Sequence, residues 1–394
     1  MKLLFIQGGS RVKIDRSGNF YTDGNLTNNI WDRYKFFTDS LTVILRKEKK
    51  VYDDNFAKRT FCNFDTSSIK YYPVDDIYRP KINYFNFIKR KQIKKIIKKS
   101  VLENNFVIIR SVTSVYCQIA LKYCKKYRKK YLIEVTGFAF EGTWYHSFLG
   151  KFLAEYREYL TKKSIKKADY AVYVTKEALQ KRYPCKGEQL GCSDVELDTN
   201  PLSIADVENK STNINSLKLG TAAFLDVNWK GQKDVILALS ELYKMGIDSF
   251  TYHLLGIGEG RKLKKLVKKL HLENVVFFDG SKPHSDIFAW YKSLDVYIQP
   301  SYQEGLCRSI VEAMSCGLPV ICTNIGGNYE LIDQSFMYRK KRVKELTKLL
   351  KDLTEIELRK SALCNFKKSS LYNKNTLNQI RNEFYIKAIK NFNA

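Results

Sequence analysis

The 394-residue sequence predicts an α/β protein of two domains, each a parallel sheet with helices on both faces. Three observations predict it. Short apolar runs alternate with helix-period segments in two successive series, the pattern of strand–helix–strand crossovers. A polar, weakly patterned stretch at residues 201–216 separates the two series. The length also exceeds the roughly 250–300 residues at which a single core stops growing.

In the first series the strands are read at residues 3–6, 41–45, 106–109, 131–135 and 170–174. Helical stretches around 28–38, 81–101, 115–130 and 151–167 lie between them. The second series places strands at 217–223, 251–255, 275–278, 296–299 and 320–322. Its helices fall near 232–245, 261–271, 285–293 and 309–316. This Rossmann-like plan assigns residues 1–200 to a first domain, 201–216 to a linker and 217–370 to a second domain. Residues 371–394 are read as a final helix that returns to the first domain.

A hydrophobic content of 44% and an aromatic content of 13% are those of a folded protein. No apolar run approaches the ~18–20 residues of a membrane-spanning helix. The opening Met1-Lys2-Leu3-Leu4-Phe5-Ile6 is too short for a signal peptide and reads as a buried strand, so a cytoplasmic location is expected. Nine cysteines without a Cys-x-x-Cys pair point to reduced, mostly buried thiols, and no metal site is expected.

The net charge of +27 suits an anionic partner, or reflects a composition rich in Lys, Asn, Ile and Tyr. Its densest cluster runs from Lys89 to Lys99. Ile88, Ile93, Ile96, Ile97 and Val101 approximate one face of a helix there, with lysines on the other. The first reading is a surface helix with a solvated outer face. The second is a peripheral contact with an anionic membrane, where each basic residue contributes ~1 kcal/mol.

The chemistry concentrates in Pro300-Ser301-Tyr302-Gln303-Glu304-Gly305-Leu306-Cys307-Arg308-Ser309, followed by Ile310-Val311-Glu312-Ala313-Met314. It runs from strand end through loop to helix, and ligands of open α/β sheets bind beyond the carboxyl ends of strands. A helix beginning near Ser309 directs free amides and its positive dipole end into that crevice, a place for a diphosphate. Glu304 and Glu312 would flank it and accept hydrogen bonds from hydroxyls. For Glu312 a structural reading competes, because Ser309-x-x-Glu312 is also a capping-box pattern. Four histidines complete the inventory. His253 is read as a packed strand residue and His271 as a helix terminus. His284 reads as a cap or turn at a helix start, and His146, in a Gly-Thr-Trp-Tyr-His loop, is a candidate proton acceptor.

The pattern Glu304-Gly305…Glu312-Ala313-Met314-x-x-Gly317-Leu318-Pro319-Val320 resembles the E-x7-E signature of glycosyltransferase family 4, a retaining group with the GT-B fold. Trp229-Lys230-Gly231, Gly256-Ile257-Gly258-Glu259-Gly260, Phe278-Asp279-Gly280, Asp295-Val296-x-x-Gln299-Pro300-Ser301 and Gly326-Gly327-x-x-Glu330 match in order. In the first domain, Gly8-Gly9-Ser10-Arg11-Val12-Lys13, Trp31-Asp32-Arg33-Tyr34, Glu134-Val135-x-Gly137 and Tyr173-Val174-Thr175…Arg182-Tyr183-Pro184 resemble a subgroup of bacterial surface-polysaccharide assembly.

The resemblance implies a first domain that binds the acceptor and a second that binds a nucleotide-sugar donor. Glu304 would contact hydroxyls of the donor sugar, Glu312 would hold the ribose, and Lys230 would neutralise the leaving diphosphate. Gly8 and Gly9 would let the first strand–helix loop approach the donor, while Gly258, Gly305, Leu306 and Arg308 would line its site. Many family members carry an Arg where Phe224 stands, so the second positive charge is either absent here or supplied by Arg308 or Arg11. The implied reaction is transfer to a hydroxyl of a glycan, or of a polyprenyl-diphosphate-linked glycan, without metal or other cofactor. Two other readings remain. A sugar-nucleotide epimerase shares the plan, and a nucleic-acid-binding protein would explain the charge. The basic residues are however spread over many helices, without a zinc, helix-turn-helix or RNP-like motif, and no nucleic-acid partner is expected.

Overall fold

The computed structural model describes residues 1–22, 26, 29–198 and 202–391. Two sheets organise them. The first, nine-stranded among the described residues, contains β1 (Lys2–Asp15), β2 (Phe20–Thr22), β3 (Ser40–Tyr52), β4 (Cys62–Asn63), β5 (Lys70–Asp75), β6 (Phe106–Arg110), β7 (Lys130–Val135), β8 (Tyr170–Tyr173) and β9 (Glu188–Gly191). Its main path is the parallel order β5-β3-β1-β6-β7-β8-β9, with β2 and β4 added antiparallel at one side. The second contains β10 (Leu217–Ala222), β11 (Phe250–Leu255), β12 (Val276–Gly280), β13 (Val296–Gln299), β14 (Val320–Thr323) and β15 (Met337–Tyr338). They form a parallel sheet in the order β12-β11-β10-β13-β14-β15.

Apolar runs become central strands because helices cover both faces. In β1, Leu3 and Phe5 enter one core while Leu4 and Ile6 enter the opposite one, and all four are fully buried. Trp31 and Tyr34 pack on Phe5 with ring centroids 5.4 and 5.0 Å away.

β1 departs from expectation. It continues to Asp15 through a register slip between Ile6 and Arg11, so Gly8 and Gly9 lie inside a strand rather than in a strand–helix loop. The strand continues because its pairing with β3 resumes at Arg11 and Arg46, and the glycine itself answers a close approach. A Cβ on Gly8 would lie 2.2 Å from Ser114 Oγ, which caps the Val115–Lys126 helix by accepting from the Cys117 amide. Gly8 thus admits a helix end against the sheet, and the Gly9 carbonyl accepts from Arg46.

The Phe87–Glu103 helix lies on the surface, with an apolar side toward the core and a basic side outward. Ile93, Ile97 and Val101 are buried in the core under the first sheet, and Lys91, Lys94, Lys95, Lys98 and Lys99 are exposed. Most of its apolar face is thus occupied by its own protein, whereas Ile88 at the helix start, read with that face in the sequence, is exposed.

Residues 202–216 are more structured than a plain linker. The Ile204–Glu208 helix has a reciprocal capping box between Ser203 and Asp206. Its Val207 packs so closely on Gly317 that a Cβ there would lie 2.7 Å from Val207 Cγ2. The final helix, Lys374–Asn391, returns to the first sheet as expected. Its Arg381 bonds Glu196 at 2.8 Å and the Ser193 carbonyl at 2.6 Å. Its Tyr385 donates to buried Glu134, which also takes Arg110 at 2.6 Å and Tyr34 at 2.8 Å. Burial alone would raise the Glu134 pKa, but Arg110 and the two phenols hold it below the usual carboxylate value. Where the chain crosses back, Leu197 and the segment Tyr372–Lys374 exchange backbone hydrogen bonds of 2.9 Å.

Candidate active site

In the second sheet β10 and β13 are neighbours, and from them the strand order runs outward in opposite directions. At such a switch point the loops leaving the two strands diverge and open a crevice beyond their carboxyl ends. Lys230 follows β10 and Glu304 follows β13.

Backbone contacts lock the two loops together. The Tyr302 amide donates to the Trp229 carbonyl at 2.7 Å. Gly231, at φ 74°, approaches Pro300 so closely that a Cβ would lie 1.9 Å from its carbonyl oxygen. Only glycine satisfies both conditions. With the loops fixed, Lys230 Nζ reaches Glu304 Oε1 at 2.6 Å. Gln299 Nε2 lies 3.4 Å from the same oxygen, and its own carbonyl accepts from the Tyr297 hydroxyl at 2.6 Å. Burial would lower the Lys230 pKa, yet the Glu304 charge outweighs it and holds the ammonium above its ordinary value. The neighbouring Cys307 thiol is pushed up to about 12 by burial first and by Glu304 second, so it stays protonated.

Past this pair the Arg308–Ser315 helix begins. Its N-cap is Cys307, without a side-chain cap, leaving its first-turn amides to other acceptors. The capping box that competed as a reading of Ser309 and Glu312 does not form. The helix starts one residue earlier, and the Ser309 hydroxyl instead donates to the Ala222 carbonyl at 3.3 Å. Glu312 is buried and accepts from the Tyr291 hydroxyl at 3.0 Å. Arg308 is exposed at the helix start, and its charge helps lower the pKa of Asp194 in the first domain. Of the two cations considered in place of an arginine at exposed Phe224, Arg11 is paired with Glu48 at 3.4 Å within the first domain. Arg308 stands at the crevice.

Gly258 lies beyond β11 at φ 124°. A Cβ there would lie 2.7 Å from Asp226 Oδ2. The Asp226 carboxylate accepts the amides of Glu259 and Gly260 at 3.1 and 2.9 Å, tying the loop after β11 to the loop after β10. A cavity of about 800 Å3 lies beside this latch, lined by Asp226, Asn228, Lys233, Glu259, Arg261 and Lys262 among others. Asp226 went unrecognised in the sequence, since a lone aspartate in a polar loop has no distinguishing spacing.

The first domain closes the crevice from the other side. A Cβ on Gly305 would lie 2.3 Å from the Thr136 carbonyl at the end of β7. Leu306 packs against both cores. Gly326-Gly327-x-x-Glu330 holds the domains together: Glu330 accepts the amides of Lys176, Glu177 and Ala178 at 2.6, 3.0 and 2.6 Å, capping the first-domain helix Ala178–Arg182. A second cavity, about 660 Å3, lies between the domains and reaches Glu304.

His146 is brought to this mouth. Its ring centroid lies 4.7 Å from that of Trp229, the residue before Lys230. Desolvation first, then the charges of Arg79 and Arg157, hold its pKa below 6.5, so it is neutral at pH 7. His253 packs as expected, stacked on Phe277 at 4.9 Å, with Asp279 3.2 Å from its Nδ1. His271 adopts φ 57° just beyond its helix. The side chain of His284 lies outside the described residues.

Residues 225–368 match the family described as glycosyl transferases group 1. Protein CapJ of Staphylococcus aureus is 33% identical over 411 aligned positions, covering both chains in full. The lipopolysaccharide core biosynthesis mannosyltransferase LpsB of Rhizobium meliloti is 37% identical over 71 residues, 18% of this chain and 20% of that one. Among solved structures, Anabaena HepE in complex with UDP-glucose superposes with a TM-score of 0.66 at 19% identity, over 98% of this chain and all of the other. That neighbour shares the GT-B arrangement of two facing Rossmann-like domains. The full-length relationship to CapJ, with the matched region that carries Glu304 and Glu312, shows that the chain belongs to the group 1 glycosyl transferases.

Proposed function

We propose that the protein transfers a sugar from a nucleoside diphosphate donor to a hydroxyl of a lipid-linked glycan during surface polysaccharide assembly. The ion pair of Lys230 and Glu304 across the switch-point crevice carries this reading. The printed functions of LpsB and the UDP-glucose bound to HepE support its substrate classes.

Lys230 and Glu304 hold each other's charge while no donor is bound. When a donor enters, its diphosphate takes the ammonium, joined by Arg308 and the uncapped amides of the Arg308–Ser315 helix. Glu304 then accepts hydroxyls of the sugar, and Glu312, kept in place by Tyr291, takes the ribose. As the sugar–phosphate bond breaks, negative charge grows on the departing oxygen. Fixed cations and amides stabilise that charge more than the ground state, which is what accelerates the step. These groups act without a metal. In a retaining course the acceptor hydroxyl attacks the face the phosphate leaves, and its proton passes to that phosphate or to neutral His146. Closure through Glu330 and Gly305 excludes water and so limits donor hydrolysis.

The test is release of nucleoside diphosphate from a panel of nucleotide sugars, with and without a lipid-linked glycan. Release that requires the acceptor is expected. Sugar conversion without release would establish an epimerase instead, and binding of no nucleotide would overturn the reading.

A further inference from the structure

The Phe148–Lys166 helix is built inside out. Its buried face carries Gly150, Ala154, Glu158, Thr161 and Ser164, with Ile165 the one large apolar residue there. A Cβ on Gly150 would lie 2.0 Å from the Thr143 carbonyl, so the helix is pressed against the element before it. Its outer face carries Phe148, Leu149, Phe152, Leu153, Tyr156 and Tyr159, all exposed. At 3.6 residues per turn these six span an arc of about 140°. Phe148 is 69% exposed, Phe152 72% and Tyr156 60%. Core helices do the reverse, and nothing in the fold itself requires aromatic rings on this side.

The patch continues onto a neighbouring element. Arg157 lies over the Tyr78 ring at 5.5 Å, Tyr78 stacks with Tyr84 at 6.5 Å, and Tyr84 meets Phe85 at 5.6 Å. Phe85, Phe87 and Ile88 are exposed, Phe87 to 84%. From there the Phe87–Glu103 helix leads away with an outer face of lysines, and residues 81–102 contain no carboxylate. Lys151 and Lys163 flank the stripe itself, over the rings of Trp144 and Tyr159.

We propose that this aromatic face, with Lys151 and Lys163 beside it and the lysine face of the Phe87–Glu103 helix continuing from it, docks on an anionic phospholipid bilayer. Aromatic and aliphatic side chains enter the headgroup boundary while the cations stay with the phosphates. The charge selects this occupant over a second copy of the chain, since two copies face to face would bring their cationic rims together. The position serves the reaction. The stripe begins two residues after His146, whose ring rests on Trp229 beside Lys230, so a docked bilayer lies at the mouth of the crevice. The inference deepens the proposed function and rests on it for the membrane location of the acceptor. It also reassigns the apolar contact, because the Ile93 and Ile97 face of the lysine-rich helix is already buried.

The test uses the full chain and sedimentation with vesicles of phosphatidylglycerol and phosphatidylcholine in equal parts, against phosphatidylcholine alone. Binding is expected only with the anionic lipid. The triple variant Phe148→Ser, Phe152→Ser, Tyr156→Ser and, separately, Lys94→Gln, Lys95→Gln, Lys98→Gln, Lys99→Gln should each lower partitioning at least ~10-fold. Both should keep the parent's UDP affinity and circular dichroism. The inference is overturned if the parent does not sediment with anionic vesicles or the triple variant sediments equally well. It is also overturned if ultracentrifugation shows a parent dimer that the triple variant dissolves. A parent that binds vesicles but no nucleoside diphosphate would sink the enzymatic reading and leave the docking surface standing.

Discussion

Lys230 Nζ and Glu304 Oε1 lie 2.6 Å apart although 74 residues separate them in sequence. The contact exists because β10 and β13 are adjacent strands and their loops are bonded through Trp229 and Tyr302. Two charges largely withdrawn from water depend on each other, which makes their separate and joint removal informative.

Glu304→Gln should lower turnover at least ~100-fold, because the amide cannot take the place of a charged acceptor as the sugar reacts. Lys230→Met should do the same and also strand the Glu304 charge, a cost of about 2 kcal/mol in a partly buried pair. The double variant should regain that stability and none of the activity. Steady-state kinetics and thermal melts separate the two effects, and wild-type turnover in Glu304→Gln would remove it from the reaction.

Gly258→Ala places a Cβ against Asp226 at a backbone angle that L residues rarely adopt. The expected outcome is a loss of about 1–3 kcal/mol in stability. Calorimetric titration with the nucleoside diphosphate that the donor panel identifies should show affinity weakened about tenfold, the equivalent of roughly 1.4 kcal/mol. Unchanged affinity would place the donor away from the Asp226 latch.

Glu330→Ala removes three amide contacts that bridge the domains. Hydrogen exchange at Lys176, Glu177 and Ala178 should accelerate by one to two orders of magnitude, about 1–3 kcal/mol of lost protection. Donor hydrolysis without acceptor should rise as closure weakens. If these amides keep their protection, another contact holds the domains.

His146 works as a base only when neutral, and its pKa is held below 6.5. As the proton acceptor it would give kcat/KM an acidic limb below pH 6.5, with full activity above it. His146→Ala should lower the rate and erase that limb. The same shift affects folding. Protonation favours the unfolded chain, so this group's contribution is present above pH 6.5 and lost as pH falls through the folded-state value. An unaltered limb in the alanine variant would assign the proton transfer elsewhere.

Much was legible from local pattern alone. Apolar runs such as residues 3–6 and 296–299 announce strands because a central parallel strand is buried on both faces. The run from residue 296 to 315 reads as strand, loop and helix, and the structure has that order, with Glu304 in the loop and Glu312 in the helix. Local pattern fails where the deciding partner is distant. Nothing near Gly8 announces that the Ser114 cap would press on it, or that pairing with β3 would resume beyond it and keep it within a strand. Ser309-x-x-Glu312 has the spacing of a capping box, yet the carbonyl of Ala222 and the phenol of Tyr291 claim those side chains. Asp226 and Glu330 gain their roles only when amides from other loops arrive beside them. The aromatic stripe from Phe148 to Tyr159 has helical spacing, and periodicity cannot tell which face looks outward. Secondary structure follows from neighbours along the chain, whereas exposure and partnership follow from elements that only folding brings together.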